Sequence, residues 1–163
     1  MLERGREMES LSYEHLVPIR HYVHQHPELS GQEYQTTAYL KAYLEKFGVR
    51  ILNSGLKTGL IAEIGSGKPV IALRADIDAL PIQENTGLEY QSQTPGVMHA
   101  CGHDFHQVSL LGAAEVLKGM EADLKGTVRL IFQPAEETSE GASAVLATGL
   151  LEDVQAILGF HNM

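Results

Sequence analysis

The sequence has 163 residues, of which 44% are hydrophobic and 20% charged, as expected for one ordinary globular domain. Its formal net charge of -9 argues against a nucleic-acid partner, and its single cysteine rules out an intrachain disulfide framework. No segment approaches the roughly 18 continuous apolar residues of a membrane span. Residues 1–7 contain no apolar run, which predicts no signal peptide. The absence of such a run, together with a lone thiol beside histidines, favours a cytoplasmic protein.

Two helices are predicted in the first third of the chain. The first covers residues 11–25, with Pro18 in its first turn or at a kink, and it ends before Pro27. The second covers residues 32–47, with Gly48 as its stop. The apolar spacing of the second helix predicts a buried stripe of Thr37, Leu40, Leu44 and Phe47.

Strands and helices then alternate, which predicts an α/β architecture. Short strands are expected at 49–53, 59–64 and 70–75, and the Gly/Pro-rich residues 65–69 predict a hairpin turn between the last two. A helix at 105–118 is followed by strand 127–133, a small-residue helix at 141–148 and a nearly all-apolar strand at 154–160. The last three elements resemble a right-handed βαβ crossover whose final strand is buried on both faces.

The densest set of metal-binding side chain types lies in residues 98–106, which hold the only cysteine, three of the eight histidines and an aspartate. Thiolate, imidazole and carboxylate groups are the side chains that bind transition metals. Cys101 and His103 are two residues apart, so in an extended segment both side chains point to one side, and Gly102 lets the backbone bend between them. We therefore expect both residues to bind one ion, together with ligands from elsewhere in the chain.

Further polar candidates follow three of the predicted strands. They are Asp76 and Asp78, Glu136 and Glu137, and His161. In open α/β sheets, ligand sites form at the carboxyl ends of strands, so these side chains are expected to meet the cysteine–histidine pair in one cleft.

The glutamate pair allows a division of chemical work. A metal ion activates water and polarises a carbonyl group, but a base must still take the proton from the water and deliver it to the leaving nitrogen. Pro134 fixes the turn after the strand, so one glutamate can bind metal while its neighbour faces the substrate. We assign Glu137 as a ligand and Glu136 as the general base.

Each of these signals has a simpler explanation when taken alone. A glutamate pair is usually solvated surface, and aspartates after a strand often cap turns or helices. The argument for a site is that all the candidates share one topological position. The histidines at 21, 24 and 26 are expected at a helix end and the following turn, with a second metal site there as the alternative.

Five ordered segments of the sequence resemble the metal-dependent amidohydrolases of the aminoacylase and carboxypeptidase superfamily. They are His-Pro-Glu-Leu-Ser (26–30), Ala-Asp-Ile-Asp-Ala-Leu-Pro (75–81), Met-His-Ala-Cys-Gly-His-Asp (98–104), Gln-Pro-Ala-Glu-Glu (133–137) and Gly-Phe-His-Asn (159–162). This family contains N-acyl-amino-acid deacylases, hippurate hydrolases, auxin-conjugate hydrolases and N-acetyl-diaminopimelate deacetylases. The resemblance covers essentially the whole chain after the first ten residues.

The resemblance implies a zinc-peptidase-like mixed sheet flanked by helices, and a centre of two divalent metal ions, which are zinc, manganese, cobalt or nickel. The implied ligands are Cys101, His103, Glu137 and His161. Glu136 would be the base, and Asp76 or Asp78 would orient a ligand, with both aspartates remaining candidates. The implied reaction is hydrolysis of the amide bond of an N-acyl amino acid, so the partner would be a small molecule rather than a nucleic acid or a membrane.

Members of this family are commonly more than twice this length. They have a second, smaller domain that caps the active site and often dimerises, and one more ligating histidine near the C-terminus. The resemblance therefore implies that residues 1–163 are the N-terminal part of the catalytic domain, without the lid and dimerisation domain and without the C-terminal catalytic segment. We expect little amidohydrolase activity from these residues alone, and self-association as a homo-oligomer.

Two other functions compete with this interpretation. In the first, the chain is a non-catalytic metal-binding or interaction fragment in which only the metal-binding side chains have a role. Such a fragment does not need the base Glu136. Alternatively, Cys101 would be a thiol nucleophile with a histidine base. In that case His103 is too close in sequence to serve easily, and the glutamate pair has no role.

Overall fold

The structure, a computed structural model, describes residues 13–162. In that range the α-helices are α1 (Leu16–Gln25), α2 (Tyr34–Lys46), α3 (His103–Gly119) and α4 (Gly141–Ala147), with a 3₁₀ turn at Glu121–Asp123. The strands are β1 (Arg50–Ile51), β2 (Leu60–Gly65), β3 (Val70–Asp76), β4 (Thr127–Gln133) and β5 (Ala156–Gly159). None of the helices in the described residues is long and apolar enough to cross a lipid bilayer.

The five strands form one mixed sheet in the order β1-β2-β4-β3-β5. The central strand, β4, pairs with β2 in the antiparallel direction and with β3 in the parallel direction, and β5 runs parallel to β3 on the other side. Strand β4 suits this place because nearly every residue in it is buried. The predicted α/β fold class with a mixed sheet is therefore confirmed.

Helices cover both faces of the sheet because the side chains of β4 alternate between them. Leu130 and Phe132 point into the larger core cluster, which also contains Leu40 of α2 and Leu111 of α3. Ile131 points to the opposite face and joins the smaller cluster with Val145 and two other residues. This layering fixes the carboxyl ends of β3, β4 and β5 at one edge, where the candidate site lies.

The predicted hairpin between β2 and β3 is wrong, because β4 lies between these two strands. The turn at 65–69 reverses the chain, but its two flanking strands are not hydrogen-bonded to each other. Likewise, β4 and β5 are parallel, as the βαβ prediction requires, but β3 separates them.

The last strand is more exposed than predicted. Every residue of β5 is exposed, with 52% exposure for Ile157 and 61% for Leu158. Within the described residues, β5 is at the edge of the sheet and pairs on one side only.

The predicted helix boundaries shift by a few residues. Helix α1 begins at Leu16, so Pro18 lies in its first turn; residues 11 and 12 of the prediction lie outside the described residues. In α2 the buried positions are Thr36, Leu40 and Leu44, while Phe47 is 39% exposed. Helix α3 begins at His103 rather than residue 105, which brings the histidine into the first turn of the helix.

Candidate metal centre

Cys101 and His103 lie on either side of a left-handed glycine at the start of α3. Gly102 has φ +81°, and its carbonyl oxygen accepts the amide N–H of His106 at 3.1 Å, which begins the helix. A Cβ atom at this position would lie 2.9 Å from Cγ of Asn162. Only glycine combines this backbone angle with such a close approach.

His103 is held from behind and presents one free ring nitrogen. Its side chain is 1% exposed, and Nδ1–H donates to the backbone oxygen of Asp78 at 2.9 Å and to Oδ1 of the same residue at 3.2 Å. These bonds leave Nε2 free, and it is buried with no hydrogen-bond partner. Nε2 lies 3.7 Å from Oε1 of Glu137 and 3.9 Å from Oε2 of Glu136.

The other predicted ligands surround this nitrogen. The Sγ atom of Cys101 lies 3.4 Å from Nε2 of His161, whose Nδ1–H donates to the backbone oxygen of Asn162. Oε1 of Glu137 is also buried without a partner. The donor atoms of Cys101, His103 and Glu137 all lie within 4.8 Å of one another.

These separations suit a metal ion. In a tetrahedral site with bonds of about 2.0–2.3 Å, the ligand atoms are about 3.3–3.8 Å apart. The Cys101–His161 distance of 3.4 Å and the His103–Glu137 distance of 3.7 Å fall in this range. Nε2 of His103 and Oε1 of Glu137 are both buried without a hydrogen-bond partner, and a cation bound between them would satisfy both.

The pKa values of Asp78 and Cys101 are shifted in opposite directions. Burial alone would raise the pKa of Asp78, but hydrogen bonds from His103, Ser30 and the Glu137 backbone outweigh it and lower that pKa to about 2. Burial and the carboxylate of Glu137 raise the pKa of the Cys101 thiol to about 11. Without a metal ion, therefore, Asp78 is ionised at neutral pH and Cys101 is a neutral thiol.

The two predicted aspartates occupy different places. Asp78 contacts His103, as described above, whereas Oδ1 of Asp76 lies 2.6 Å from Nδ1 of His106 and 3.6 Å from Nε2 of His103. The other oxygen of Asp76 accepts from Arg74 at 2.7 Å. The geometry thus makes Asp78 the carboxylate directly behind a predicted ligand.

His106 is a buried residue of the site for which sequence reasoning assigned no role. It belongs to a second group with metal-ligand spacing, together with Asp76, His103 and His161. However, Nδ1 of His106 is bonded to Asp76, and Nε2 accepts the backbone N–H of Asn162 at 3.2 Å. Both ring nitrogens are thus engaged, so His106 ties the end of β3 to the segment that carries His161.

The glutamate pair lies on a tight turn after β4, which we call the acidic turn (residues 134–140). Two residues other than glycine in this turn have left-handed backbone angles, Ala135 with φ +48° and Ser139 with φ +60°. Such angles cost on the order of 1–3 kcal/mol each and persist only where surrounding contacts enforce them. The side chain of Glu136 is 39% exposed and that of Glu137 22%, so the predicted base is the more accessible of the two.

The histidines of α1 have structural partners instead of a metal cluster. His24 is buried, with Nδ1 3.0 Å from Asp104 and Nε2 3.2 Å from Glu84, and His21 stacks on Tyr90. Among residues 13–162, both groups with metal-ligand spacing include His103, and neither includes a histidine of α1.

The model of peptidase family M20/M25/M40 matches residues 72–163, which is more than half of the chain. The chain belongs to this family. Among its relatives, an N-acetyl-L-cysteine deacetylase from Bacillus subtilis (strain 168) is 54% identical over 149 residues, which are 90% of this chain and 36% of that protein. IAA-amino acid hydrolase ILR1-like 5 from Arabidopsis thaliana is 49% identical over 150 residues, which are 91% of this chain and 34% of that protein.

Among solved structures, the Bacillus subtilis YXEP protein, a dinuclear metal binding peptidase from the M20 family, superposes with a TM-score of 0.89 at 55% identity. The match covers 91% of this chain and 42% of that one. The family resemblance and the fold are thus confirmed, and this M20 chain spans well under half of the length of these relatives.

Proposed function

We propose that the protein to which this M20 chain belongs is a metal-dependent amidohydrolase that cleaves the amide bond of N-acyl amino acids. The observation that carries the proposal is the pair of buried, unpartnered atoms, Nε2 of His103 and Oε1 of Glu137, which face each other at 3.7 Å. The names of the relatives, a deacetylase of N-acetylcysteine and a hydrolase of amino acid conjugates, support this substrate class.

The side chains present fit a centre of two divalent metal ions. Cys101, His103, Glu137 and His161 would hold the ions, and this mixed set of soft and hard donors admits zinc, manganese, cobalt or nickel. When bound, the ions would polarise the scissile carbonyl group and make a water molecule more acidic. A dinuclear relative with 55% identity supports the number of ions.

The residues of this chain would divide the remaining work. Glu136, the more exposed glutamate of the acidic turn, would accept the proton of the attacking water and deliver it to the leaving nitrogen. Asp78 would keep His103 in the tautomer whose Nε2 carries the free lone pair. Asp76 and His106 would hold the segment of His161 against α3.

The two competing functions fit the site less well. A nucleophilic cysteine needs a lowered pKa, whereas burial and Glu137 raise the pKa of Cys101. A non-catalytic metal-binding fragment would give no reason for an accessible carboxylate, Glu136, 3.9 Å from the free nitrogen of His103. We further propose a cytoplasmic location, which suits the free thiol.

The test is Glu136→Gln in the full-length protein, with Glu140→Gln in the same turn as the matched control. Gln is nearly isosteric with Glu but cannot accept the proton, so the variant should keep its metal ions and lose activity by roughly 10²–10⁴-fold. The control should keep both. A loss of less than about tenfold at position 136, with metal content unchanged, would assign the base to another residue.

A further inference from the structure

Glu33 is a buried carboxylate far from the acidic turn in sequence, yet it is bonded to the turn. Its side chain is fully buried at the start of α2, and Oε1 accepts the backbone N–H of Ala135 at 2.7 Å, across 102 residues of sequence. No candidate role described above involves Glu33.

The bond holds the residue that sets the direction of the glutamate pair. Ala135 directly precedes Glu136 and has the left-handed angle φ +48°. Its carbonyl oxygen accepts the backbone N–H groups of Glu140 at 3.2 Å and Gly141 at 3.0 Å, which close the acidic turn. The N–H side of the same residue is held by Glu33, so both of its peptide groups are fixed.

Helix α2 is also linked to the turn indirectly, through Thr37 and Gly59. The Thr37 hydroxyl donates to the backbone oxygen of Glu33 at 2.6 Å and accepts the backbone N–H of Gly59 at 2.7 Å. A Cβ atom on Gly59 would lie 2.5 Å from Cδ of Pro134, so this glycine packs directly under the first residue of the turn. The first turn of α2 is therefore linked to the acidic turn directly through Glu33 and indirectly through Thr37 and Gly59.

We propose that Glu33 is a positioning residue: its bond to Ala135 holds the acidic turn so that Glu137 and Glu136 face the free nitrogen of His103. The inference rests on the proposed metal centre. Groups that orient metal ligands from behind typically change metal affinity by 10–100-fold when they are removed. The bond to Ala135 acts in this way through the backbone rather than through the ligand side chain.

The chain supplies a matched control in Glu28. This carboxylate lies in the same segment and also accepts backbone N–H groups, those of Gln35 at 3.1 Å and Thr36 at 2.8 Å. Its bonds hold the start of α2 and do not reach the acidic turn. Shortening Glu28 therefore removes only these two bonds and leaves the bond from Glu33 to Ala135 in place.

The experiment compares Glu33→Asp, Glu33→Gln and Glu28→Asp in the full-length protein. Asp keeps the charge but withdraws the acceptor by one methylene, whereas Gln keeps the acceptor and loses the charge. Two quantities are measured: the affinity for cadmium, followed by thiolate–cadmium absorbance against a competing chelator, and amide hydrogen exchange in peptides covering the acidic turn and the start of α2.

We expect Glu33→Asp to bind cadmium about 10–100-fold more weakly and to exchange faster in the acidic turn. Glu33→Gln should stay within about fivefold of the parent protein, and Glu28→Asp within about threefold, with faster exchange only at the start of α2. Equal cadmium affinity in Glu33→Asp and the parent protein would overturn the proposal, and so would equal weakening by Glu33→Asp and Glu28→Asp.

If Glu33→Asp fails to fold, Glu33→Gln decides. In that variant, amide hydrogen exchange in the acidic turn and the affinity for cadmium should respond in the same way. Faster exchange with unchanged affinity, or weaker affinity with unchanged exchange, refutes the positioning role. Absence of the thiolate–cadmium band in the parent protein would instead refute the proposed centre itself, so the two failures are distinguishable.

Discussion

The Cys101 thiol should react slowly in the metal-free chain, because burial and Glu137 raise its pKa to about 11. At about pH 7.5, a thiol with a pKa of about 8.5 is roughly one-tenth ionised, whereas one with a pKa of about 11 is ionised in about 1 molecule in 3,000, a deficit of about 300-fold. A more basic thiolate is a better nucleophile, and with a Brønsted slope of about 0.4–0.5 this higher reactivity offsets roughly tenfold of the deficit in thiolate. We therefore expect disulfide exchange about 30-fold slower than for an ordinary thiol.

The assay is thiol–disulfide exchange with dithiodipyridine in the 163-residue chain, where Cys101 is the only cysteine, after removal of metal with a chelator. The rate should rise about tenfold per pH unit from about pH 7 to about pH 10, because only the thiolate reacts. Glu137→Gln removes the nearby negative charge, which lowers the pKa of the thiol and should accelerate exchange at neutral pH. Glu140→Gln is the control and should leave the rate unchanged.

A rate that levels off at about pH 8–9 would show an ordinary or lowered pKa of the thiol and would refute this account of its surroundings. It would also restore the possibility of a nucleophilic cysteine. A slower reaction in Glu137→Gln would mean that the carboxylate activates the thiol instead of suppressing its ionisation.

Three further outcomes are expected. Replacing Cys101 or His103 by Ala should sharply lower the metal content of the purified protein at neutral pH, and unchanged stoichiometry by elemental analysis would remove both from the ligand set. Gly102→Ala should lower the free energy of unfolding in urea by at least about 1–2 kcal/mol, since alanine disfavours a left-handed angle and would crowd Asn162. The 163-residue chain alone should show little hydrolysis of N-acetyl- and N-benzoyl-amino acids with added metals. It should also self-associate, because β5 exposes apolar side chains. Ordinary turnover in the activity assay, from a chain that light scattering shows to be a monomer, would contradict both expectations.

Local sequence patterns predicted most of the elements but not how the strands pair. Periodicity and the positions of glycine and proline located the helices and strands to within a few residues, because these signals act over one turn of helix or one strand. The hairpin prediction failed because the glycine and proline residues at 65–69 indicate only that the chain reverses direction, not that the two flanking strands pair. Whether another strand lies between the two arms depends on burial, and β4, a strand that is buried at nearly every position, takes the central place.

The candidate site shows the same limit. The strand-end rule selected Asp76, Asp78 and the acidic turn, but it could not distinguish the two aspartates, because both lie at the end of the same strand. His106 has no predicted role, and the predicted start of the helix at residue 105 leaves His103 outside the helix. The observed start at His103 places His106 three residues further along the same helix face, a spacing that would have indicated proximity. Glu33 gave no signal in the sequence, since its partner is a backbone N–H group.

Asp78 explains how residues so distant in sequence form one site. Its Oδ1 accepts from the ring of His103, and its Oδ2 accepts the Ser30 hydroxyl at 2.7 Å and the backbone N–H of Glu137 at 3.0 Å. One ionised carboxylate therefore bonds both to the imidazole and to the turn that carries the glutamates, before any metal ion is present. Because the donors are already ordered, less conformational entropy is lost when an ion binds, and the affinity of the centre depends on these protein contacts as well as on the ligands themselves.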